Sequence, residues 1–216
     1  QIWLECSGAY KIRKPGYYQQ LLESQPDKTC PFYDQICMDL HRTLPDNVFF
    51  GGDGPGVPKL RRILSAYAWH NPTTGYCQGM NIMVATLLLV FPTSEENAFW
   101  MLVYILDHLM PEEYHGNQLT TVQADQRVLE DLWRDSSPQA AGHLKACGVD
   151  PAAVTISWFM SLYAESMPLE TLLRVWDVIL IEGQTALFRV GVALLLLNER
   201  DLLKLHSAAA LYNYLK

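Results

Sequence analysis

This sequence of 216 residues lacks an even, regularly spaced set of cysteines, and it lacks an excess of basic residues. It has five cysteines, an odd number, and no Cys-x-x-Cys pair, so we expect neither a disulfide framework nor a zinc site and favour a reducing compartment. The 16 basic residues are outnumbered by 23 acidic ones, which gives a formal net charge of −7. A chain of this charge is a poor match for nucleic acid or for broad docking on anionic lipid.

Long apolar runs, strand alternation and repeats are also missing. The two most apolar runs, Ile82–Phe91 and Val190–Leu197, are too short to span a bilayer, and we predict that both are buried helices. A fixed-period repeat is absent, which disfavours a regular solenoid. Neither His-Glu-x-x-His nor Gly-x-Ser-x-Gly occurs, so an enzyme with its own active site is poorly supported.

The glycine-rich stretch Gly51–Gly56 has two interpretations. A phosphate-binding loop is one of them, but no Gly-Lys-Ser/Thr follows the stretch and no predicted strand precedes it. We therefore predict a flexible connector.

Helical periodicity dominates what is present. Apolar residues recur at three- and four-residue steps, as from Val57 to Ala68 and from Leu169 to Leu180. With 50% hydrophobic residues, this pattern predicts an all-α fold, a single multi-helix domain over residues 1–216. Because the chain starts at Gln1 and has no signal-peptide layout, we expect a domain excised from a longer protein. The helices are predicted to begin near residues 17, 31, 57, 78, 94, 119, 136, 152, 168 and 184.

Several helix ends carry recognisable signals. The segment Thr93–Glu96 predicts a capping box, in which the Thr93 hydroxyl and the Glu96 carboxylate satisfy backbone amides. Pro168 suits the first position of the following helix. Gly183 suits the position just past its end, where the backbone turns left-handed.

The segment Ile36–Thr43 carries an arginine at the end of a predicted helix, Pro31–His41. Asp39 and Arg42 are three residues apart, so their side chains are neighbours on the helix surface. The local pattern by itself favours a cation that complements the helix dipole and forms a surface salt bridge. In the functional interpretation, Asp39 holds the guanidinium in one direction, which suits a planar contact with phosphate oxygens.

The segment Tyr76–Asn81 is centred on a glutamine. It follows a cluster of turn residues, 71–75, and precedes a long apolar run, so Gln78 lies at the entrance of a buried helix. The local pattern favours a glutamine that caps or begins this helix. In the functional interpretation, rigid backbone presents the glutamine to a partner, and Gly79 lets another backbone come close. Cys77 is expected to be a packed thiol, since no His/Asn arrangement supports a nucleophile.

The segment Arg174–Gly183 combines an ion pair with a large aromatic residue. Arg174 and Asp177 are three residues apart on a predicted helix, and Trp176 lies on its apolar face. This combination favours structural support for the core.

An arginine and a glutamine are the two side chains that GTP hydrolysis requires. The arginine neutralises charge on the phosphoryl oxygens in the transition state, and the glutamine aligns the attacking water. A chain that brings both to the nucleotide of another protein can speed hydrolysis without binding nucleotide well itself.

The three segments together resemble the TBC domain, a family of helical GTPase-activating domains that act on Rab-type small GTPases. The matching residues are Ile36, Asp39 and Arg42 for Ile-x-x-Asp-x-x-Arg, Tyr76, Gln78 and Gly79 for Tyr-x-Gln-Gly, and Arg174, Trp176, Asp177 and Gly183 for Arg-x-Trp-Asp followed by a glycine. Each motif alone is weak, but three in the expected order are specific, and the resemblance covers nearly the whole chain.

The resemblance implies a GTPase activator rather than an enzyme with its own substrate site. Arg42 and Gln78 would be the catalytic residues, acting as an arginine finger and a glutamine finger in the nucleotide pocket of a Rab-family GTPase in its GTP state. The supporting residues that it implies are Asp39, Tyr76, Gly79, Asn81, Arg174 and Asp177. Among these, Asp39 would position Arg42, and the last two would brace the scaffold beneath the site.

The same resemblance implies no cofactor and no metal site in this chain, since GTP and Mg²⁺ would belong to the partner. It also implies a role in vesicle trafficking and a cytoplasmic location, with peripheral association with endomembranes through the partner. The alternative is a catalytically silent, TBC-like scaffold that binds a GTPase or another trafficking partner. The intact arginine and glutamine argue against that alternative.

Overall fold

The computed structural model describes residues 2–24, 29–112, 114–116 and 119–215. Over these ranges it contains helices and no strands, so the predicted all-α fold class is confirmed. The α-helices are α1 Ile2–Ser7, α2 Ala9–Ile12, α3 Tyr17–Ser24, α4 Tyr33–Leu40, α5 Gly56–His70, α6 Met80–Val90, α7 Glu95–Tyr104, α8 Thr120–Ser136, α9 Pro138–Ala146, α10 Ala152–Met160, α11 Leu169–Glu182, α12 Thr185–Leu197, α13 Glu199–Leu202 and α14 Ala208–Leu215. A π-helical turn, Ile105–Leu109, follows α7 directly.

The chain divides into two compact units, Gln1–Leu119 and Thr120–Lys216. This division does not test whether residues 1–216 are one domain excised from a longer protein, so that stays a prediction.

The first unit is built around α5, α6 and α7, which pack on one another. α6 is apolar on all sides, and its residues from Met80 to Leu88 are all buried, so neighbouring helices must cover it completely. α5 is amphipathic and buries the face that carries Leu60, Ile63 and Leu64, as its periodicity predicted. α4 packs against both α5 and α6, which brings the arginine and glutamine segments together.

The second unit is built around α8, which packs against α9, α10 and α12. Its core holds large aromatic side chains, among them Trp133, Phe159 and Trp176. The indole N–H of Trp176 donates to the carbonyl oxygen of Leu162 at 2.8 Å. The prediction that Trp176 supports the core is therefore confirmed.

The predicted helix starts agree with the structure to within two residues from α3 to α12. Sequence periodicity missed the short helices α1, α2, α13 and α14 and the π-helical turn. α1, α2 and α13 have only four to six residues, too few turns for a 3.6-residue repeat to stand out. α14 has eight residues and was missed, although α3 and α4 of the same length were predicted.

The capping box predicted at Thr93–Glu96 is wrong by one residue. The N-cap of α7 is Ser94, whose side-chain oxygen accepts a hydrogen bond from the backbone N–H of Asn97 at 3.2 Å. The Glu96 carboxylate instead bonds the guanidinium of Arg13, at 2.6 Å. Serine and threonine have similar N-cap preferences, so their residue types do not tell the two positions apart.

The two ends of α11 lie close to their predicted places. Pro168 is the N-cap, one residue before the first helical position predicted for it. Gly183 follows the helix, as predicted, and its φ of 74° is a value that glycine adopts readily. Its ψ of −156° lies outside the left-handed helical region that was predicted.

The glycine-rich stretch Gly51–Gly56 forms turns before α5, so it is part of the connection between α4 and α5 as predicted, and its flexibility stays a prediction. A Cβ atom at Gly54 would lie 2.5 Å from the carbonyl oxygen of Phe49. The backbone N–H of Gly56 donates to the same carbonyl oxygen at 2.8 Å. Close backbone contact therefore explains Gly51 and Gly54, whereas Gly52 has a positive φ of 58° and open space around it.

Within the described ranges, none of the helices combines the length and apolar content that crossing a membrane requires. The apolar helices α6 and α12 have only 11 and 13 residues.

Candidate functional site

Arg42 lies just past the C-terminal end of α4, as the sequence predicted. Its Nε donates to Oδ1 of Asp39 at 2.8 Å, and its Nη2 lies 2.7 Å from the same oxygen. The arginine side chain is 54% exposed, whereas the Asp39 side chain is only 7% exposed. An ordinary surface salt bridge does not describe this pair, because its carboxylate is buried.

The Asp39 carboxylate has a second partner, which comes from the glutamine segment. The buried hydroxyl of Tyr76 donates a hydrogen bond to Oδ2 of Asp39, so each carboxylate oxygen serves a different side chain. Burial and then the hydrogen bond to Asp39 raise the pKa of Tyr76 well above its ordinary value. The phenol therefore stays protonated at neutral pH and acts as a donor.

A second link joins the arginine and glutamine segments through Thr43 and Asn81. The Thr43 hydroxyl donates to the backbone carbonyl of Asp39 at 2.6 Å and accepts from Nδ2 of Asn81 at 2.8 Å. The Oδ1 of Asn81 in turn accepts from the backbone N–H of Gly79 at 3.1 Å. These buried hydrogen bonds connect the turn that carries Arg42 to the backbone beside Gln78.

Gln78 lies in a turn before α6, and its side chain is exposed. The N-cap of α6 is Gly79, without a side-chain cap, so the interpretation that Gln78 caps or begins the helix is wrong. Gly79 has a φ of 102°, which residues with a Cβ atom rarely adopt. Glycine is therefore needed where the chain turns from the exposed glutamine into the buried helix.

The base of the glutamine segment packs closely against the start of α4. Gly75 has a φ of 62°, and a Cβ atom there would lie 2.1 Å from the Cζ of Phe32. Phe32 directly precedes α4, so only glycine permits this approach.

Cys77 lies between the two residues that define the segment, Tyr76 and Gln78. Burial raises the pKa of its thiol, so the reactive thiolate is disfavoured. The prediction of a packed thiol rather than a nucleophile agrees with this environment.

Arg174 and Asp177 lie on α11 in the second unit, whereas the other predicted site residues lie in the first. The Nη1 of Arg174 is 2.9 Å from Oδ2 of Asp177, so the predicted pair is present, with the arginine side chain largely exposed. A role for this pair in bracing the site stays a prediction.

Thr43 is a site residue that was not predicted from the sequence. The available signal was a hydroxyl residue directly after Arg42. Its two partners, the Asp39 carbonyl and the Asn81 side chain, are four and 38 positions away in the chain, so only the fold reveals the second.

The joined segments present two polar groups to solvent, the guanidinium of Arg42 and the amide of Gln78. One is a cation with several N–H donors, and the other is a neutral group that both donates and accepts hydrogen bonds. Together they can stabilise negative charge and orient a water molecule, but they cannot act as a nucleophile or a general base.

Family and sequence matches were found over almost the whole chain. A model of the Rab-GTPase-TBC domain matches residues 1–203. A TBC domain-containing protein of Schizosaccharomyces pombe is 44% identical over 215 residues, which are 100% of this chain and 28% of that protein. TBC1 domain family member 2A of Homo sapiens is 42% identical over 215 residues, 99% of this chain and 23% of that protein. The chain thus spans about a quarter of the length of these curated relatives.

Solved structures show the same likeness. The Chlamydomonas flagellar RabGAP TBC domain is 28% identical with a TM-score of 0.89, over 99% of this chain and 71% of that chain. The Ypt/Rab-GAP domain of Gyp1p has a TM-score of 0.78 at 19% identity, over 99% and 73% of the two chains, a likeness of fold alone. The resemblance predicted from the three motifs is confirmed.

Proposed function

We propose that this chain, which belongs to the Rab-GTPase-TBC domain family, accelerates GTP hydrolysis by a Rab-family GTPase to which it supplies Arg42 and Gln78. One observation carries the proposal: an exposed arginine, fixed by a buried carboxylate, lies on a turn that is hydrogen-bonded to the turn exposing the glutamine. A helix-end arginine with no function would need neither the buried carboxylate nor the connection.

Arg42 would stabilise the charge that develops on the phosphoryl oxygens. Its guanidinium has five N–H donors, and Nε and Nη2 contact Asp39. The remaining donors lie on a side chain that is half exposed and suit phosphate oxygens. Because Asp39 is itself held by Tyr76, the guanidinium would enter the nucleotide pocket already oriented.

Gln78 would orient the attacking water. A glutamine amide can donate to one group and accept from another at the same time, which aligns a water against the γ-phosphate. The hydrogen bond from the Gly79 N–H to Asn81 fixes the backbone next to it.

The partner would contribute everything else in this proposal. The GTPase, in its GTP state, holds the nucleotide and Mg²⁺, and this chain adds two side chains. An arginine supplied in this way is worth roughly 10³- to 10⁵-fold in rate. Membrane association and a role in vesicle trafficking would follow from where the partner is anchored.

The test is GTP hydrolysis by a panel of purified Rab-family GTPases, with the wild-type chain and with Arg42→Ala and Gln78→Ala. We expect stimulation of one or a few members, and a loss of stimulation of roughly 10³-fold or more for Arg42→Ala. The matched control for Arg42→Ala is Arg134→Ala, because Arg134 also pairs with an aspartate three residues away and is equally exposed. The matched control for Gln78→Ala is Gln139→Ala, because both glutamines are exposed. Both controls should stimulate like the wild type.

The same panel separates activation from a silent scaffold. Binding of each GTPase in its GTP state is measured alongside hydrolysis. Binding with no stimulation by the wild-type chain would favour the scaffold, and full stimulation by Arg42→Ala would contradict the role proposed for that arginine.

A further inference from the structure

Asp107 lies in the π-helical turn that follows α7, where the Met110 N–H donates to the Ile105 carbonyl five residues earlier. Its Oδ1 accepts from the Tyr67 hydroxyl at 2.7 Å and from Nδ2 of Asn71 at 2.9 Å. Its Oδ2 lies 3.3 Å from Nε2 of His70. One carboxylate thus gathers three side chains from the last turn of α5 and the residue after it.

Asn71 connects Asp107 to the residues just before the glutamine segment. Its Oδ1 accepts from the backbone N–H of Thr74 at 3.1 Å, and its carbonyl accepts from the N–H of Gly75 at 2.8 Å. Gly75 is the residue that packs against Phe32 and precedes Tyr76. The turn between α5 and the glutamine segment is therefore tied to Asp107 through Asn71, whose side chain bonds the Thr74 amide and whose carbonyl bonds the Gly75 amide.

Hydrogen bonds to Asp107 hold this side of the turn beside an open cavity. An open cavity of about 440 Å³ lies against it, lined in part by His70, Asn71, Thr74 and Asp107. Burial opposes the charged form of Asp107, but hydrogen bonds from His70, Tyr67 and Asn71 outweigh it and lower its pKa. The carboxylate is therefore a permanent acceptor at neutral pH.

We infer that Asp107 is a positioning residue for the glutamine finger: through Asn71 it fixes the base of the segment that presents Gln78. The inference rests on the proposed function of Gln78. Asp107 touches neither nucleotide nor partner in this scheme. It acts on the turnover of the activated complex because a water-orienting group must be placed to within a fraction of an ångström.

The first experiment is kinetic. With the GTPase that the wild-type chain stimulates best, Asp107→Ala should lower kcat roughly 10- to 100-fold and leave KM for the GTPase within about twofold, since the lost interaction matters only in the transition state. Asn71→Ala should give the same loss, and the double variant should lose no more than the worse single variant. Asp107→Asn, which keeps an acceptor oxygen, should recover most of the rate.

The matched control is Glu95→Ala. Glu95, at the start of α7, is a similarly buried carboxylate that accepts from a tyrosine hydroxyl, that of Tyr18, and from Arg62. Its partners lie on α3 and in the middle of α5 rather than in the turn before Gln78, so its removal should destabilise the first unit without changing kcat. An equal fall in kcat for Glu95→Ala and Asp107→Ala, or no fall for Asp107→Ala, would overturn the inference.

A second measurement does not depend on activity. Hydrogen exchange of the Thr74 and Gly75 amides, which Asn71 protects, should become at least about tenfold faster in Asp107→Ala and stay unchanged in Glu95→Ala. Unchanged exchange in Asp107→Ala would overturn the inference whatever the kinetics. If the wild-type chain stimulates no GTPase, the proposed function fails, while faster exchange still supports Asp107 as the anchor of this turn.

Discussion

Two Asp–Arg pairs in this protein have the same spacing and different surroundings. Asp39–Arg42 in the first unit and Asp131–Arg134 in the second are each three residues apart, and their arginine side chains are 54% and 53% exposed. Their carboxylates differ, since Asp39 is 7% exposed and Asp131 is 69% exposed. Sequence spacing predicts both pairs equally well and cannot tell them apart.

The difference lies in what else holds the carboxylate. Tyr76 donates to the second oxygen of Asp39, and both groups are buried. Asp131 lies in solvent on α8, where an exposed pair is worth about 0.2–1 kcal/mol and rearranges easily. A fixed direction for an arginine therefore comes from the environment of its partner, not from the pair itself.

Replacing each arginine by lysine should give the largest contrast between the two pairs. Lysine keeps the charge but loses the planar set of donors that contacts a carboxylate and a phosphate at once. We expect Arg42→Lys to lower stimulated GTP hydrolysis by about 100-fold or more, and Arg134→Lys to leave it unchanged. Equal activity of the two lysine variants in the hydrolysis assay would remove the distinction between the pairs.

Removing each aspartate should give a contrast in stability. Asp39→Ala deprives the buried Tyr76 hydroxyl of its acceptor and should lower the free energy of unfolding by about 1–3 kcal/mol. Asp131→Ala changes an exposed residue and should stay within about 0.5 kcal/mol of the wild type. Urea denaturation of the two variants measures both values, and a similar small change in both would mean that the Asp39 carboxylate is not held as described.

Tyr76→Phe should give the smallest effect at neutral pH, a loss of about 1 kcal/mol for one hydrogen bond. The effect that distinguishes this variant is on the free energy of unfolding at alkaline pH. The folded pKa of Tyr76 is raised above the unfolded value near 10, so its contribution is complete below pH 10 and falls by about 1.4 kcal/mol per pH unit above it. Tyr76→Phe should therefore lose stability less steeply than the wild type above pH 10.

Tyr163→Phe is the control for the alkaline measurement. Burial also raises the pKa of Tyr163, whose hydroxyl donates to the carbonyl of Leu187 in the second unit. It should reduce the alkaline slope of the unfolding free energy without changing GTPase stimulation. A slope that Tyr76→Phe leaves unaltered would contradict the raised pKa.

The helices could be predicted from the sequence where their apolar repeat is long enough. α5 and α11 span more than three turns, and their predicted starts lie within one residue of the observed ones. α13 has four residues and escaped prediction. The predicted N-cap of α7 was wrong by one residue, because Ser94 and Thr93 are chemically alike. The predicted capping role of Glu96 was also wrong, because its carboxylate pairs with Arg13.

The candidate site was predictable in its residues and not in its connections. Asp39 and Arg42 are close in the chain, so their pairing follows from helical geometry. Tyr76 and Asn81 reach their partners over 37 and 38 positions, and Asp107 reaches Asn71 over 36. Local sequence does not reveal these hydrogen bonds, because they depend on how α4, α6 and α7 pack.

Residue patterns along the chain were enough to predict that it is helical, that it resembles the TBC domains, and which arginine and glutamine are candidates for catalysis. Periodicity and motif order are properties of neighbouring residues, so they survive without a fold. The folded structure was needed to show that Asp39 is buried while Asp131 is exposed, and that Asp107 is hydrogen-bonded to Asn71. Burial and long-range hydrogen bonds arise from the packing of distant helices. That packing places Tyr76 against Asp39, and the held carboxylate in turn orients the guanidinium of Arg42.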